Sequence, residues 1–260
     1  MTGDQRYLDT ATAIFNDMVA TGYNATCGGL WWKRDKKNNN AIENELFLST
    51  AAHLANRKPN GEYYRDWVSK PVVQMASEAY ANCTVTFKAL RHWKWFESTG
   101  MINKDWLIND GLNITTCKNN GATVFSYNQG VILGGLAELN KAVHNGTLLD
   151  VANKIAHAAI NKLADDNNIL HDACEGRKGD GDCVTFKGPF MRGLAALMDV
   201  SSNSDYVDFV KANADSIWKN DRNNKNNQLG PVWSGPFNST LVTASTQGVA
   251  IDALVAAAAA

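Results

Sequence analysis

Five short clusters are rich in polar, aromatic or glycine residues, and four of them open an apolar stretch. They are Gly28–Trp32, Asn40–Glu45, Tyr127–Gly130, Phe186–Gly188 and Thr246–Gly248. The first turn of a helix leaves backbone N–H groups without helical partners, so polar groups gathered there can bind hydroxyls. Clusters at several helix N-termini around one centre would line a cleft suited to a sugar chain.

Length and composition indicate one large domain that spans residues 1–260, because 45% of the residues are hydrophobic. The net charge of −1 gives no electrostatic reason to expect nucleic acid or an anionic membrane as a partner. No apolar run reaches the roughly 18 residues of a membrane span. No signal peptide follows Met1.

The sequons favour a secreted protein, in which an odd number of cysteines needs an explanation. The Asn-x-Thr sequons begin at Asn24, Asn82, Asn113, Asn145 and Asn238. None of the five cysteines has zinc-site spacing, so we predict no metal and no cofactor. Cys174 and Cys183 flank a Gly-rich loop that a disulfide would close, and Cys27 with Cys117 is a second candidate pair.

Apolar periodicity predicts alternating outer and inner helices. Amphipathic stripes indicate outer helices over Asp4–Ala20, Thr147–Ala164 and Tyr206–Ile217. The runs that begin near residues 41, 128, 188 and 246 form the inner helices, and three of them are apolar nearly all round. This alternation predicts an all-α fold of helical hairpins that close on themselves, an α/α toroid with little sheet. An irregular helical bundle is the alternative. Gly134, Gly135 and Gly193 suggest close approach of helices.

Several segments in order make the chain resemble glycoside hydrolase family 76, the endo-α-1,6-mannanases of fungi and bacteria that include Dfg5-type cell-wall relatives. The segments are Gly3-Asp4 with Tyr7-Leu8, Cys27–Trp32, Asn44–Leu48, Asn109–Leu112, Tyr127–Gly130, Phe186–Arg192 and Thr246-Gln247. The resemblance covers nearly the whole chain. It implies an (α/α)6 fold, an α-1,6-mannan substrate, and retaining hydrolysis or transglycosylation.

The resemblance also implies a catalytic pair of consecutive aspartates just before the Gly3-Asp4 segment. Retention requires two carboxyl groups about 5 Å apart. That pair is absent, and about eight of twelve helices can be counted, so we expect a chain without N-terminal hairpins and with little activity. Asp165-Asp166 is a solvated helix end and not a substitute, and Asp4 is a helix cap.

Residues 68–88 separate two segments that are contiguous in the family. We interpret them as a retained intron, since removing them also removes Cys83 and leaves an even number of cysteines. A genuine insertion that extends an outer helix is the alternative. Transcript reads that cross the region without a gap would exclude the intron.

The predicted sugar-binding set draws on all the clusters. It comprises Trp31, Trp32, Asn44, Glu45, Asp110, Tyr127, Asn128, Gln129, Lys187, Thr246 and Gln247. The tryptophans would stack on mannose rings, with core packing as their alternative. Asp110 would hold hydroxyls or orient a catalytic group, with a turn as its alternative. Tyr127, Asn128 and Gln129 are the strongest candidates, because so polar a start to an apolar helix needs hydrogen-bond partners.

The expected function is endo-acting hydrolysis of α-1,6-mannan or transfer within it. Its alternatives are a noncatalytic mannan-binding or cell-wall protein and another carbohydrate-active α/α toroid, although no basic cluster for uronates is visible. The expected location is secreted or in the cell wall. A GPI anchor stays open, because Ala256–Ala260 has the character of a helix end.

Overall fold

A computed structural model describes residues 3–58, 85–177 and 181–260. Within these residues eight α-helices form: α1 (Gln5–Thr21), α2 (Ala41–Arg57), α3 (Val85–Ser98), α4 (Ser126–Val143), α5 (Thr147–Leu163), α6 (Lys187–Met198), α7 (Ser204–Asn220) and α8 (Ala244–Ala259). The only sheet there is a two-stranded antiparallel ribbon of β1 (Leu112–Asn113) and β2 (Lys118–Asn119). Of the predicted insertion, residues 68–84 lie outside the described residues, and α3 begins at Val85.

Helix starts follow the capping residues of the sequence. Asp4 accepts from the Arg6 N–H and caps α1, as the sequence predicts. Asn40 with Glu43 forms a capping box on α2, and Thr243 with Thr246 forms one on α8. Each cap satisfies N–H groups that the first helical turn leaves without partners, which fixes where these helices begin.

The predicted alternation of outer and inner helices is confirmed. The inner helices α2, α4, α6 and α8 pack against one another in that order. The outer helices α1, α3, α5 and α7 alternate with them along the chain. The exposed faces of α1, α5 and α7 are mostly polar, although Tyr7 and Ile14 of α1 and Trp218 of α7 are also exposed. By contrast, α4 buries residues on nearly every side. Four helical hairpins therefore follow one arc, the architecture of an α/α toroid.

The crossing of α4 and α6 depends on two glycines. A side chain at Gly130 would overlap the backbone of Phe190, and one at Gly193 would overlap the carbonyl oxygen of Gly130. A Cβ added at Gly134 or Gly135 would make only ordinary van der Waals contacts, at 3.7 Å from Gly193 and 3.6 Å from Ser49 respectively. Close approach therefore depends on Gly193, as predicted, and on Gly130.

A short turn follows each outer helix and repeats four times. Its isolated bridges join Tyr23 to Leu30, Ile102 to Ile108, Ala164 to Leu170 and Arg222 to Leu229. In each turn an Asn or Asp oxygen accepts from the backbone N–H two residues on, as Asn24 accepts from Thr26 and Asp165 accepts from Asn167. Asn103 and Asn223 do the same in the other two turns. These Asx turns reverse the chain toward the next inner helix.

Each turn is fastened to a helix by an amide side chain. In three hairpins this amide is the fourth residue of the inner helix: the oxygens of Asn44, Gln129 and Gln247 accept from the N–H groups of Leu30, Ile108 and Leu229. In the hairpin that leads to α6, the Leu170 N–H goes instead to Asn213 of the outer helix α7. The repeat therefore changes at α6.

Two disulfides brace the turns. Cys27–Cys117 ties the first turn to the β1–β2 ribbon, and Cys174–Cys183 closes the loop before α6. In the part of the chain that the structure describes, no set of three acidic, His or Cys side chains is arranged to hold a metal. No helix among these residues is long and apolar enough to cross a membrane.

Candidate active-site cleft

The N-terminal ends of neighbouring inner helices contact one another and the loops before them along one edge of the arc. The Ala41 N–H at the start of α2 donates to the Asp110 carbonyl, and Gly111 approaches Asn39 and Asn40 so closely that a side chain would clash. Tyr127 at the start of α4 packs against Phe186, which directly precedes α6, at a ring distance of 4.4 Å. The N-terminal ends of α2, α4 and α6, with the loops before them, therefore form one continuous surface, which we call the wall.

Asp110 is the polar centre of the first part of this wall, which we call the Asp110 cluster (Glu43, Glu45, Asp110, Tyr127 and Asn128). The Tyr127 hydroxyl donates to Asp110 at 2.7 Å, and the Asn128 amide nitrogen lies 3.4 Å from the same oxygen. Burial and the bond to Asp110 raise the pKa of Tyr127, so the phenol keeps its proton as a donor.

Two glutamates lie at the start of α2 near Asp110, Glu43 partly buried and Glu45 buried. Glu45 is fully buried, and both its oxygens lack a hydrogen-bond partner. Burial raises the pKa of Glu45 well above its usual value, and the charges of Glu43 and Asp110 raise it further. Burial raises the pKa of Glu43 to about 8. Both side chains are therefore carboxylic acids at neutral pH.

The Asp110 cluster contains further polar atoms without a hydrogen-bond partner. The Asn128 amide oxygen and one Glu43 oxygen are buried in this way. A buried polar atom without a hydrogen bond costs free energy. A protonated carboxyl group is a donor as well as an acceptor, so water, which both donates and accepts, is a suitable partner for these groups.

Three aromatic rings form a ledge beside Asp110, which we call the aromatic ledge. Phe125 stacks on Tyr127 at 5.8 Å, and Phe186 meets Phe125 edge-on at 5.2 Å. All three side chains are partly exposed. Aromatic rings next to a carboxylate suit a pyranose, because the apolar face of the sugar can lie on the rings while its hydroxyls reach the carboxylate.

Lys187 anchors the second part of the wall, the Lys187 cluster (Asp172, Glu175, Lys187, Asp221 and Trp233). Its ammonium is buried and donates to Glu175 at 2.8 Å and to the Leu170 carbonyl at 3.2 Å. It also lies 4.4 Å from the centre of the Trp233 ring. Burial lowers the pKa of Lys187, and the three carboxylates around it oppose that shift.

The Lys187 cluster also holds the start of α4. Asp172 accepts from both the N–H and the hydroxyl of Ser126, the first residue of α4. Burial raises the pKa of Asp172 to about 6 and that of Asp221 to about 7, and Lys187 partly offsets both shifts. His171 stands at the edge of the cluster and contacts Glu175 at 3.2 Å, which raises the pKa of His171.

Apart from the two tryptophans, the predicted sugar-binding residues fall into three groups, the last of which is Lys187 alone. Asp110, Tyr127 and Asn128 meet in the Asp110 cluster, together with the buried Glu45. Asn44, Gln129, Thr246 and Gln247 bind the backbone of the repeated turns, and Thr246 donates to the Leu229 carbonyl at 3.0 Å. Lys187 is 4% exposed and lies beneath the ledge rather than on it. The role in sugar binding of all these residues stays a prediction.

The two adjacent tryptophans lie on the loop between the first turn and α2. The Trp31 N–H donates to the Gly22 carbonyl, and its side chain is partly buried. Trp32 is 44% exposed, with the Lys33 ammonium 3.8 Å from the centre of its ring. Trp32 therefore presents more ring surface to a ligand than Trp31 does.

Asp165-Asp166 is the only pair of consecutive aspartates in the chain, and its structural use is clear. Asp165 accepts from the N–H groups of Asn167 and Ile169 in the repeated turn, and Asp166 is exposed. These contacts fit the interpretation of this pair as the end of an outer helix.

The predicted sugar-binding set leaves out several residues of the wall: Glu43, Phe125, Asp172, Glu175, Phe186, Asp221 and Trp233. Of these, Glu43 and Phe186 nevertheless belong to the clusters singled out in the sequence. Phe125 and Phe186 had a usable signal, because each directly precedes the first residue of an inner helix. Asp172, Glu175 and Asp221 lie in the loops after outer helices, where an acidic residue is typical of any turn. Only their contacts with Ser126 and Lys187 distinguish them.

An arc of helical hairpins with aromatic rings and carboxyl groups at the inner helix starts is typical of carbohydrate-active α/α toroids. The chain matches the model of glycosyl hydrolase family 76 over residues 1–80 and 70–259. The chain therefore belongs to glycosyl hydrolase family 76, as the resemblance implies.

Three relatives show how far the similarity extends. Mannan endo-1,6-alpha-mannosidase DCW1 of Candida albicans is 30% identical over 51% of this chain and 26% of its own length. Mannan endo-1,6-alpha-mannosidase DFG5 of Saccharomyces cerevisiae is 24% identical over 84% of this chain and 45% of its own length. The chain thus spans less than half the length of both. An inactive variant of the α-1,6-mannanase GH76A of Salegentibacter, with two consecutive aspartates replaced and α-1,6-mannotriose bound, superposes with a TM-score of 0.77 at 23% identity, covering 99% of this chain and 70% of its own.

Proposed function

We propose that this chain binds α-1,6-linked mannose oligosaccharides on the aromatic ledge and at Asp110. The observation that carries the proposal is the Asp110 carboxylate held by Tyr127 beside three partly exposed rings at the starts of α4 and α6. Mannose units would lie on the rings while their hydroxyls donate to the partly exposed Asp110. Family membership and relatives that are mannan endo-1,6-α-mannosidases support this choice of sugar.

The reaction that we propose for the protein is endo-acting hydrolysis of α-1,6-mannan, or transfer of a mannan segment to another sugar. In a retaining mechanism one carboxylate attacks the anomeric carbon, and a second carboxyl group protonates the leaving oxygen and then activates the acceptor. The consecutive aspartates expected for these roles have no counterpart in the cleft described above. Asp110 and the protonated glutamates would bind and orient the sugar in this scheme.

We therefore expect this chain to bind mannan with little turnover. Asp165-Asp166 is the only aspartate pair that it contains, and Asp165 is used by a turn. This observation favours a second candidate, a noncatalytic mannan-binding protein that uses the same cleft. The binding step is common to both candidates, and turnover separates them.

Calorimetric titration with α-1,6-mannotetraose, with an α-1,4-linked glucose tetramer as control, tests the binding step. We expect saturable binding of the mannose oligomer alone. Asp110→Ala should weaken it at least tenfold, a loss of about 1.4 kcal/mol. Asp166→Ala is the matched control and should leave it unchanged. Equal affinity for both tetramers, or for Asp110→Ala and the parent chain, would refute the proposal.

Product analysis after incubation with α-1,6-mannan tests the second step. We expect oligosaccharide release far below that of an intact mannanase run alongside. Release at a comparable rate would show that a catalytic pair other than consecutive aspartates is present, and would reject the noncatalytic alternative.

We also propose a secreted or cell-wall location for the protein. The sequons and the two disulfides both favour an oxidising compartment. Whether the protein carries a GPI anchor is a separate question that the cleft does not address.

A further inference from the structure

Four of the Asn-x-Thr sequons lie in described residues, and their structural settings differ sharply. Asn24 is fully buried, whereas Asn113, Asn145 and Asn238 are exposed. N-glycosylation joins the amide nitrogen of Asn to C1 of a sugar, so the folded protein must give that nitrogen room. The burial of the nitrogen therefore decides which sequons a folded molecule can carry in modified form.

The Asn24 amide is built into the fold. Its oxygen accepts from the N–H groups of Thr26 and Cys27 at 2.8 and 3.1 Å, which makes the first of the four repeated Asx turns. Its amide nitrogen is buried without a hydrogen-bond partner. Cys27, whose N–H donates to the Asn24 oxygen, is itself held by the disulfide to Cys117. A glycan on this nitrogen would require the turn to open.

The Asn145 and Asn238 sequons show the opposite arrangement. In each, the Asn oxygen accepts from both the N–H and the hydroxyl of the sequon threonine: Thr147 at 3.2 and 2.8 Å, and Thr240 at 3.0 and 2.9 Å. All four side chains are exposed. These contacts orient the amide oxygen inward and leave the amide nitrogen toward solvent.

Asn113 provides the closest comparison with Asn24, because the two sequons lie on opposite sides of the same disulfide. Asn113 ends β1, and its carbonyl accepts from the Cys117 N–H at 2.8 Å. Its side-chain oxygen accepts from the Thr115 N–H, and Asn113, Ile114 and Thr115 are all exposed. The two positions share a cross-link and differ in access.

We propose that Asn113, Asn145 and Asn238 are N-glycosylation sites and that Asn24 is an unmodified structural residue. The donor is a lipid pyrophosphate-linked oligosaccharide. The amide nitrogen forms a C–N bond to C1 of the sugar, the C–O bond to the pyrophosphate breaks, and the nitrogen loses one proton. The glycans would stand on the ribbon after Asp110, on the α4–α5 connection and on the loop before α8. This proposal does not depend on mannan binding.

The test is secretion of the chain from a yeast host, isolation of the monomeric folded fraction, and enzymatic deglycosylation in heavy-oxygen water. Each asparagine that carried a glycan becomes a labelled aspartate, which peptide mass spectrometry locates. We expect label at Asn113, Asn145 and Asn238 and none at Asn24. Label at Asn24 in that fraction, or no label at an exposed site, would overturn the assignment for that site.

Paired variants separate modification from folding. Thr115→Ala, Thr147→Ala and Thr240→Ala each remove a sequon while keeping its asparagine, and each should remove one glycan from the intact mass. Thr26→Ala removes the buried sequon but keeps Asn24 as the turn acceptor, because the backbone N–H of residue 26 still donates to it. Thr26 is exposed, so this variant should fold and keep all three glycans. Loss of a glycan in Thr26→Ala would show that Asn24 had been occupied.

Discussion

The Asp110 cluster and the Lys187 cluster lie side by side in one wall, and both bury carboxyl groups. In the Lys187 cluster an ammonium 2.8 Å from Glu175 offsets part of the burial cost, and Asp172 is used to hold Ser126. In the described part of the Asp110 cluster no cation acts on Glu43 or Glu45, so both carboxyls keep their protons. Both clusters keep buried polar atoms without a hydrogen-bond partner, Asp221 and Trp233 in the Lys187 cluster and Glu43, Glu45 and Asn128 in the Asp110 cluster. The difference is the cation, which acts on the carboxyl groups of the Lys187 cluster and not on the two glutamates of the Asp110 cluster.

The Lys187 cluster supports the helix starts, and the Asp110 cluster is the region that we propose to face a ligand. Tyr127 and Phe186 of the aromatic ledge belong to the helix starts that the Lys187 cluster fixes through Ser126 and Lys187. A rigid support beneath partly unsatisfied polar groups is the general design of a binding site. Variants that exchange charge for neutrality in each region test this division.

The largest expected effect on stability comes from removing the two disulfides. Replacing Cys27 and Cys117 by serine should lower the free energy of unfolding by about 4 to 5 kcal/mol, because the disulfide closes a loop of about 90 residues. The same change at Cys174 and Cys183 should cost about 2 to 3 kcal/mol, because that loop is only 9 residues long. Urea unfolding under oxidising conditions gives both values, and a larger loss for the shorter loop would contradict the loop-entropy argument.

Removing the one cation of the Lys187 cluster should come next. Lys187→Met should cost about 3 to 5 kcal/mol at pH 8, because it leaves buried carboxylates without a counter-ion. The loss should shrink as the pH falls below about 6, where Asp172 and Asp221, with pKa values of about 6 and 7, take up protons. Melting temperatures from pH 5 to 8 measure it.

A matched control for Lys187 exists on the surface. Lys219 pairs with Asp215 at 3.1 Å on an exposed face, so Lys219→Met should cost less than about 1 kcal/mol at any pH in this range. A pH-independent loss in Lys187→Met would mean that the lysine acts through packing alone and that its charge is irrelevant.

The same substitution should have opposite effects in the two regions. Glu175→Gln removes the carboxylate that Lys187 binds and should cost about 1.5 to 3 kcal/mol at neutral pH. The pKa of Glu175 is lowered in the fold, so its stabilisation is present above its unfolded pKa and is lost as the pH falls through the folded value.

Below the unfolded pKa of Glu45, at about pH 4, Glu45→Gln should be nearly neutral, within about 1 kcal/mol, because the acid there carries a proton in both the folded and the unfolded state. The pKa of Glu45 is raised in the fold, so the parent chain loses stability as the pH rises above the unfolded pKa, and the variant does not. The variant should therefore gain relative to the parent at higher pH. Equal losses for Glu45→Gln and Glu175→Gln would remove the distinction between the two regions.

The smallest expected effect concerns ligand affinity. Tyr127→Phe removes the hydroxyl that holds Asp110 and should weaken α-1,6-mannotetraose binding two- to tenfold, about 0.4 to 1.4 kcal/mol. Tyr206→Phe is the control, because it loses a 2.9 Å hydrogen bond to Asn153 far from the ledge. It should lower stability and leave affinity unchanged. Calorimetry that shows equal affinities for the two variants would place Tyr127 outside the site.

The helices were readable from the sequence because their apolar periodicity is local. The outer helix predicted over Asp4–Ala20 forms at Gln5–Thr21, and the one predicted over Thr147–Ala164 forms at Thr147–Leu163. The polar helix starts were also visible. Their use was not, because an amide at the fourth position of a helix looks the same whether it binds a sugar or a backbone turn, as Gln129 does.

The members of the Lys187 cluster illustrate why the other residues of the site could not be predicted from the sequence. Ser126 and Asp172 are 46 residues apart, and Lys187 is 17 residues from Leu170. Nothing near Asp172 in the sequence distinguishes it from other acidic loop residues. The same holds for Asn24, whose sequon matches the exposed ones until its burial is known.

By itself, the sequence determined that this chain is a set of alternating outer and inner helices with polar, aromatic inner starts, and it identified the family. Those features depend on residues within a few turns of one another. Only the tertiary structure decided which polar groups have hydrogen-bond partners within the protein and which do not, because contacts between distant segments determine hydrogen bonding and burial.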